Sequence, residues 1–351
     1  MNNICYFNLS TYSTLGGIEN YNKGFLKVLN TLNCKITSVS VYDDINKEEF
    51  NNIEFRNFSK DKIKASLYMV KSVFHIEILI LAHINLLPIA MILKLLNPKI
   101  KIYLTIYGVE VWKELSFAYK IFLTKIHIIS ISNYTTQEFI HYNNIRNQKI
   151  NYLSPYIEDE ITEKYKNVYN SSQFNILSVT RLDTIDNYKG IDSMIKTIPL
   201  LLNSIPNLKY TIIGKGDDTE RLQDLVKELN LEKYIDFKGF VQNIESYYEY
   251  CDIFSLPSKG EGFGIVYIEA MKYKKPCIAC DEGGQTDVVL DNITGFLCKY
   301  NNVNCLEKRI VELYENKRLR ILFGENGYNH LMKNFTFDKF KIRLQEILNA
   351  K

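Results

Sequence analysis

The stretch that most constrains the fold runs from Ser258 to Ala270 and reads SKGEGFGIVYIEA. It follows an apolar segment with β character, and three glycines separate that segment from a helical pattern beginning at Ile265. The first backbone N–H groups of a helix have no partner within the helix, and glycines let a phosphate approach them closely. The pattern therefore predicts a strand, a glycine turn and a helix N-terminus that together bind an anion.

Two carboxylates, Glu261 and Glu269, bracket this turn. A carboxylate repels a phosphate, so each is expected to bind another group. A helical rise of about 1.5 Å per residue places Glu269 roughly 6 Å from Ile265 along the axis, about the distance between a nucleotide's phosphates and its ribose. We predict that Glu269 binds a ribose diol and Glu261 a sugar hydroxyl. The alternative is that both are ordinary carboxylates near a helix start.

Length and composition indicate a folded chain of two domains, since 351 residues exceed the usual size of one domain. No apolar run is long enough for a transmembrane helix, and the N-terminus does not resemble a signal peptide, so a cytoplasmic location is expected. The seven cysteines are odd in number and irregular in spacing, which predicts reduced thiols. Cys277 and Cys280 form a CxxC, but their apolar context favours a buried strand over a metal or redox site.

Charge is distributed unequally along the chain. Residues 1–155 contain 17 Lys and Arg against 11 Asp and Glu, whereas the remainder has a small acidic excess. A basic half with interleaved aromatic residues is typical of proteins that contact anionic lipid or nucleic acid. The alternative is a solvated surface of ordinary lysines.

Apolar strands alternate with amphipathic helices in both halves, which predicts parallel sheets covered on both faces. In the first half we predict strands at Ile4–Phe7, 35–41, 53–58, 76–83, 101–108 and 126–132, and helices at 18–32, 60–74, 88–98, 109–126 and 133–142. Residues 154–172 break the rhythm and are predicted to be a linker. Ligands of such sheets bind beyond the carboxyl ends of the strands, where Gly16, His83 and Tyr107 fall.

Two cations in the second half, Arg181 and Lys189, follow a predicted strand and precede a helix. A pair of this kind can stabilise a departing nucleoside diphosphate as a metal ion would. Because the sequence has no Asp-x-Asp triplet, we expect no metal and no other cofactor. The alternative for each is a surface cation. Gly214 and Gly216 lack the third glycine of a dinucleotide fingerprint and are weak evidence for one.

These segments, in this order, resemble the retaining glycosyltransferases of family 4, and the resemblance covers nearly the whole chain. It rests on LGGIEN, SVTRLDTIDNYKGID, IIGKGDD, EGGQTDVVLDNITGFL and the E-x7-E spacing of EGFGIVYIE. The resemblance implies the GT-B fold, α/β with two Rossmann-like domains facing a cleft. The expected boundaries are 1–155 for the acceptor-side domain, 156–334 for the donor domain and 335–351 for a helix returning to the first domain.

The resemblance also implies roles for individual residues. Arg181 and Lys189 would bind the donor diphosphate, and with Glu261 they form the expected catalytic set. The expected donor-binding residues are Gly16, Gly17, Arg181, Lys189, Val241, Glu261, Gly262, Phe263, Gly264, Ile265 and Glu269, and the acceptor-side residues are His83, Tyr107 and Glu110. Two positions depart from the family: Tyr107 stands where a histidine is common, and Asp287 where glutamate is usual.

The sequence therefore predicts a metal-independent retaining glycosyltransferase. It would move a hexose or N-acetylhexosamine from a nucleotide-diphosphate sugar, UDP-linked in preference to GDP-linked, to a glycan or lipid-linked glycan of a surface polysaccharide such as capsule or lipopolysaccharide. Peripheral contact with an anionic membrane is expected, and nucleic acid is not expected as a partner. The alternatives are a nucleotide-sugar epimerase of the same fold and a non-catalytic protein that binds nucleotide-sugars or glycans.

Overall fold

The computed structural model describes residues 3–13, 16–44, 50–145, 150–158 and 165–349. Two compact units make up the chain: residues 1–156 together with 337–351, and residues 157–336. Each unit has its own parallel sheet with helices, as the sequence predicts for the GT-B fold. None of the helices in these ranges is both long and apolar enough to cross a membrane.

The described part of the first unit contains a seven-stranded parallel sheet with the order β3-β2-β1-β4-β5-β6-β7. The strands are β1 (Asn3–Asn8), β2 (Lys35–Ser40), β3 (Ile53–Asn57), β4 (Ile78–Leu81), β5 (Lys101–Ile106), β6 (His127–Ser130) and β7 (Ile150–Tyr152); the helices are α1 (Gly17–Asn30), α2 (Lys62–Ser72), α3 (Leu87–Leu96), α4 (Phe117–Leu123) and α5 (Asn133–Asn143). Every residue of β4 is buried, which accounts for its continuous apolar sequence. The order reverses at β1, whose neighbours are β2 and β4.

The described part of the second unit contains a six-stranded parallel sheet with the order β10-β9-β8-β11-β12-β13. The strands are β8 (Phe174–Val179), β9 (Leu208–Ile213), β10 (Ile235–Gly239), β11 (Ile253–Leu256), β12 (Cys277–Cys280) and β13 (Gly295–Cys298); the helices are α6 (Ile191–Leu201), α7 (Thr219–Glu228), α8 (Glu245–Tyr250), α9 (Ile265–Lys272), α10 (Val303–Glu315) and α11 (Lys317–Asn334). Here the order reverses at β8, between β9 and β11. The sequence did not predict β13 or α8.

The last helix, α12 (Phe337–Asn349), belongs to the first unit. The Phe340 ring meets the rings of Tyr21 and Phe25 on α1 with centroids 5.6 and 5.7 Å apart. The Tyr103 hydroxyl of β5 donates a hydrogen bond to the carbonyl oxygen of Ile347 at 3.1 Å. Aromatic packing and this buried hydrogen bond hold the helix on the N-terminal sheet.

Two sequence predictions require correction. The helix expected over 109–126 is limited to Phe117–Leu123, because the Glu110 carboxylate accepts a hydrogen bond from the Tyr107 N–H, and Ser116 caps the later helix start. The thiols are not all reduced, since Cys298 and Cys305 form a disulfide between β13 and α10. The interpretation of Cys277 and Cys280 as members of a buried strand is confirmed.

Candidate active site

The second sheet brings two distant segments together where its strand order reverses. Residues 180–190 follow β8 and residues 257–264 follow β11, and the two strands are neighbours. A side chain at Gly190, whose φ is +76°, would overlap the carbonyl oxygen of Pro257. The Lys259 N–H donates a hydrogen bond to the Tyr188 carbonyl oxygen at 2.8 Å. Ligands of open parallel sheets bind at such a reversal, so these segments form a candidate site.

The central contact of this site joins two residues that the sequence analysis selected separately. Lys189 Nζ donates to Glu261 Oε1 at 2.7 Å, and the two side chains are only 13% and 14% exposed. Burial alone would raise the pKa of Glu261, but the charge of Lys189, its hydrogen bond and the Ser258 hydroxyl hold that pKa below its usual value. Burial opposes the charge on Lys189, and Glu261 raises its pKa. The site therefore holds both groups ionised at neutral pH.

Arg181 lies beside this pair and remains open to solvent. Its guanidinium is within 2.9 Å of the buried Asp186 carboxylate, yet 60% of the Arg181 side chain is exposed. Its positive charge also contributes to the low pKa of Glu261. A planar guanidinium that is held by Asp186 and lies 4.0 Å from Asp183, yet is open to solvent, is suited to a phosphate ligand.

The glycines of IIGKGDD support the Arg181 segment instead of forming a dinucleotide loop. A side chain at Gly214 would overlap the Thr180 carbonyl oxygen, and one at Gly216 would overlap the backbone of Leu182. Asp217 also accepts a hydrogen bond from the Thr184 N–H at 2.6 Å. These glycines permit close backbone packing that fixes the loop carrying Arg181.

The predicted glycine turn leads into α9 as expected. Gly264 is the residue preceding the helix and has φ of +90°, a value that favours glycine. The Phe263 side chain is buried against Phe335 at 5.4 Å, so only its backbone is available to a ligand. Gly262 and Ile265 complete the turn between Glu261 and the helix.

A second loop, residues 281–285, packs against the glycine turn that precedes α9. A side chain at Gly284 would overlap the Gly262 carbonyl oxygen, and the Gly284 N–H donates to the Glu261 carbonyl oxygen at 2.6 Å. The fully buried Gln285 amide donates to the carbonyl oxygens of Ser258, Cys280 and Glu282 at 2.9, 3.1 and 2.7 Å. The sequence analysis missed Gln285, although the preceding double glycine marks a close approach of two loops.

Glu269 does not join the Lys189–Glu261 pair, because it lies further along α9 and contacts α8. The Tyr248 hydroxyl donates to Glu269 Oε2 at 2.7 Å. Burial raises the pKa of Glu269, with a further increase from Glu245, while the Tyr248 hydrogen bond and Lys272 oppose it. Tyr248 was not predicted, since α8 itself was not.

The pH dependence of nucleotide binding is expected to follow Glu269. If the ionised Glu269 carboxylate accepts hydrogen bonds from the ribose, a UDP-sugar binds with full affinity above the raised pKa of Glu269, and the affinity falls as the pH drops through that pKa, which lies above the usual 4.5. A UDP-sugar is used because it lacks the terminal phosphate of UDP, which titrates at about pH 6. Titration calorimetry at a series of pH values from neutral down towards 4.5 should show this decline. Glu269→Gln should bind about tenfold more weakly with no such decline, as for loss of one hydrogen bond to a charged group.

The variant Tyr248→Phe supplies the control for this assignment. It removes the hydroxyl that lowers the pKa of Glu269, so the decline should move to higher pH. An unchanged pH profile in both variants would contradict the role of Glu269.

The remaining donor-side prediction, Val241, lies after β10 at the carboxyl edge of the same sheet and is half-buried. Gly239 has φ of +66° and its carbonyl oxygen accepts a hydrogen bond from the Gly214 N–H at 2.9 Å. This segment is therefore tied to the loop that supports Arg181.

In the first unit, Gly16 precedes α1 and Gly17 is its first residue. A Cβ placed on Gly17 would meet no atom of the described residues within 4 Å, whereas one on Gly16 would contact the Glu19 carboxylate at 2.6 Å. The space beside Gly17 is open to a ligand that approaches the backbone.

The three expected acceptor-side residues occupy different environments. Burial lowers the pKa of His83, whereas the negative charges of Glu110 and Glu19 raise it. Tyr107 is buried, and its hydroxyl donates to Asn22 Oδ1 at 3.2 Å. This hydrogen bond directs the phenol proton of Tyr107 into the first unit. Asp287 is half-buried in the turn after Gly284.

No three histidine, cysteine, aspartate or glutamate side chains lie close enough to hold a metal ion within the described ranges.

Residues 159–330, nearly all of the second unit, match the family model described as glycosyl transferases group 1. An uncharacterized glycosyltransferase of Methanocaldococcus jannaschii is 26% identical over 354 residues, covering 96% of this chain and 95% of that protein. The poly(ribitol-phosphate) alpha-N-acetylglucosaminyltransferase of Staphylococcus aureus is 26% identical over 163 residues, which cover 46% of this chain and 33% of that one. The crystal structure of Anabaena Alr3699/HepE in complex with UDP has a TM-score of 0.83, 16% identity and full coverage of both chains.

Proposed function

We propose that this chain is a retaining, metal-independent glycosyltransferase, because residues 159–330 match the family model described as glycosyl transferases group 1. It moves a hexose or N-acetylhexosamine from a nucleotide-diphosphate sugar to a hydroxyl of a glycan or lipid-linked glycan in surface polysaccharide synthesis. The observation that carries this proposal is the buried Lys189–Glu261 ion pair beside the exposed Arg181. It places two cations and a carboxylate where a parallel sheet binds its ligand.

Each group has a task in this proposal. Lys189 and Arg181 stabilise the negative charge that develops on the leaving nucleoside diphosphate. Glu261 accepts hydrogen bonds from the transferred sugar, and its salt bridge keeps it ionised for that purpose. Glu269 binds the ribose, and the Gly264–Ile265 backbone meets the phosphate at the start of α9. The bond from the anomeric carbon to the diphosphate then breaks through an oxocarbenium-like state, the acceptor hydroxyl bonds to that carbon on the same face, and its proton passes to the departing diphosphate.

A UDP-linked donor is favoured over a GDP-linked one because the Anabaena protein of the same fold was crystallised with UDP. A thermal-shift panel of UDP-, GDP- and ADP-sugars tests the donor class directly. We expect a UDP-sugar to raise the Tm most, by the mass action of binding to the folded state. Failure of every nucleotide-sugar to raise the Tm would contradict a donor site of this type.

A peripheral membrane contact is part of the proposal, and one surface of the first unit supports it. The buried faces of α2, α3 and α4 share one apolar core, so their outer faces lie on the same side of the sheet. Exposed apolar side chains occupy those outer faces (Ile63, Leu67, Ile92, Leu95, Leu96, Phe117 and Ile121), and Phe74 is exposed just beyond the end of α2. Residues 60–125 also contain ten lysines against four acidic residues. Apolar side chains among lysines match the interface of an anionic membrane.

Vesicle sedimentation tests this surface. The wild-type protein should sediment with vesicles containing anionic lipid and remain in solution with neutral ones, and salt should weaken binding. The double variant Leu67→Gln and Leu95→Gln should reduce the bound fraction severalfold, because it removes two exposed apolar side chains. Ile342→Gln is the matched control, since Ile342 is exposed on α12 of the same unit. Equal binding by both variants, or none by the wild type, would exclude this surface.

A further inference from the structure

One buried amide joins the glycine turn before α9 to the loop that packs against it. Gln285 is fully buried, and its Nε2 lies 2.9, 3.1 and 2.7 Å from the carbonyl oxygens of Ser258, Cys280 and Glu282. These acceptors lie after β11, at the end of β12 and in the following loop, and the two strands are neighbours. Three carbonyl oxygens around one end of the side chain assign that end as its NH2 group.

The double glycine before Gln285 makes room for both contacts of this loop. Gly283 has φ of +130°, and a Cβ placed there would lie 2.3 Å from Gln285 Oε1. A Cβ on Gly284 would lie 2.0 Å from the Gly262 carbonyl oxygen. The first glycine therefore admits the amide, and the second admits the backbone of the glycine turn.

The same loop holds the backbone of Glu261 on both sides. The Gly260 N–H donates to the Glu282 carbonyl oxygen at 3.2 Å, and the Gly284 N–H donates to the Glu261 carbonyl oxygen at 2.6 Å. The Glu282 carbonyl oxygen also accepts from Gln285, so the amide and the turn share one acceptor. The position of the Glu261 backbone therefore depends on the loop that the Gln285 amide closes.

The main chain of Gln285 is itself fixed. Its carbonyl oxygen accepts hydrogen bonds from the N–H groups of Val288 and Val289 at 3.0 and 2.8 Å, and both valines are fully buried. The amide therefore extends from a fixed point in the core of the second unit to the carbonyl oxygen of Ser258, at the start of the glycine turn.

We propose that Gln285 is a positioning residue for glycosyl transfer, which sets where Glu261 presents its carboxylate to the transferred sugar. This inference rests on the proposed transferase function, in which Glu261 accepts hydrogen bonds from that sugar. Lys189 holds the Glu261 carboxylate at 2.7 Å, and the Gln285 amide holds the turn that carries it. Both supports lie within the second unit. Because a misplacement of about 1 Å can cost a large factor in turnover, the amide acts on kcat.

The variant Gln285→Met tests the proposal, because methionine keeps the length of the side chain and removes its N–H donors. We expect kcat to fall about tenfold or more. The Kd of UDP should change less than twofold, because UDP lacks the sugar and is assigned to Arg181, Lys189 and Glu269. Titration calorimetry with UDP counts the binding sites, so kcat is expressed per folded molecule.

Thr294→Val is the matched control. Thr294 is also fully buried in the second unit, and its hydroxyl accepts a hydrogen bond from the Leu290 N–H at 2.8 Å. It immediately precedes β13, at the opposite edge of the sheet from Gln285. The control therefore removes a buried side-chain bond to the backbone away from the glycine turn. It should lower the Tm and leave kcat per site unchanged.

Gln285→Asn provides a second measurement that does not depend on how well Gln285→Met folds. It keeps the amide but shortens the side chain by one methylene, so kcat per site should lie between the values of the wild type and the methionine variant. A wild-type kcat per site in either folded variant, or equal losses of UDP affinity and kcat, would overturn the positioning role. If the wild-type protein bound no nucleotide-sugar, the proposed function would fail; wild-type transfer with no effect of either variant would remove this inference alone.

Discussion

Replacing Lys189 with methionine is expected to lower kcat by about 10²–10³-fold, as found for loss of one group that stabilises developing charge. Lys189 is held within 2.7 Å of Glu261, so its cation is already placed before the donor binds. The variant also leaves Glu261 buried without its partner. Breaking a buried pair in this way destabilises the fold by about 3 kcal/mol or more, which chemical denaturation can measure.

A double variant separates loss of catalysis from loss of stability. Lys189→Met with Glu261→Gln removes both charges, so most of the lost stability should return while turnover stays low. Lys274→Ala is the control, because Lys274 forms an exposed salt bridge with Glu325 at 3.0 Å in the same unit. That control should change neither property appreciably. Recovery of turnover in the double variant would mean that the pair serves only the fold.

Arg181→Ala is expected to lower kcat/KM for the donor by about 10²-fold, with a smaller effect on Tm. The side chain is 60% exposed and its guanidinium is anchored by Asp186, so the exposed part is available to a phosphate. Steady-state kinetics with the best donor measures the effect. An Arg181→Lys variant should recover only part of the loss, because an ammonium group cannot form the same two parallel hydrogen bonds.

Arg221→Ala is a closely matched control for Arg181. Arg221 is 51% exposed and pairs with the 7% exposed Asp218 and with Asp192, and Arg181 pairs with the 5% exposed Asp186 and lies 4.0 Å from Asp183. Each substitution therefore removes a half-exposed arginine from a buried aspartate in the same unit. Only the Arg181 variant should lose turnover. Equal kinetic losses would show that Arg181 acts through the stability of its loop.

The fold could be predicted from the sequence because strands buried on both faces must be apolar along their whole length. The runs around β4, β5 and β11 show this pattern, and their alternation with helices predicts parallel sheets. The glycine turn before α9 was predictable for a similar reason, since Gly264 adopts a backbone conformation that favours glycine. The predicted helix was wrong over residues 109–116, because helix-forming residues there are held in turns by Glu110 and Ser116.

The contacts of the site were less predictable than its residues. Lys189 and Glu261 are 72 positions apart, and their distance depends on the close packing of Gly190 against Pro257. Tyr248 acts by contacting Glu269, which is 21 positions away, so it belongs to no local motif. The Tyr107 hydroxyl likewise bonds to Asn22, which is 85 positions away, and no pattern near Tyr107 indicates this contact.

The most direct test of the central claim is to follow the reaction by NMR with the nucleotide-sugar that raises the Tm most and a panel of glycan acceptors. We predict release of the nucleoside diphosphate only when an acceptor is present, and a product whose anomeric configuration equals that of the donor. These signals should disappear with Lys189→Met. An inverted product, or an epimerised donor without any transfer, would contradict retaining glycosyl transfer at the Lys189–Glu261 site.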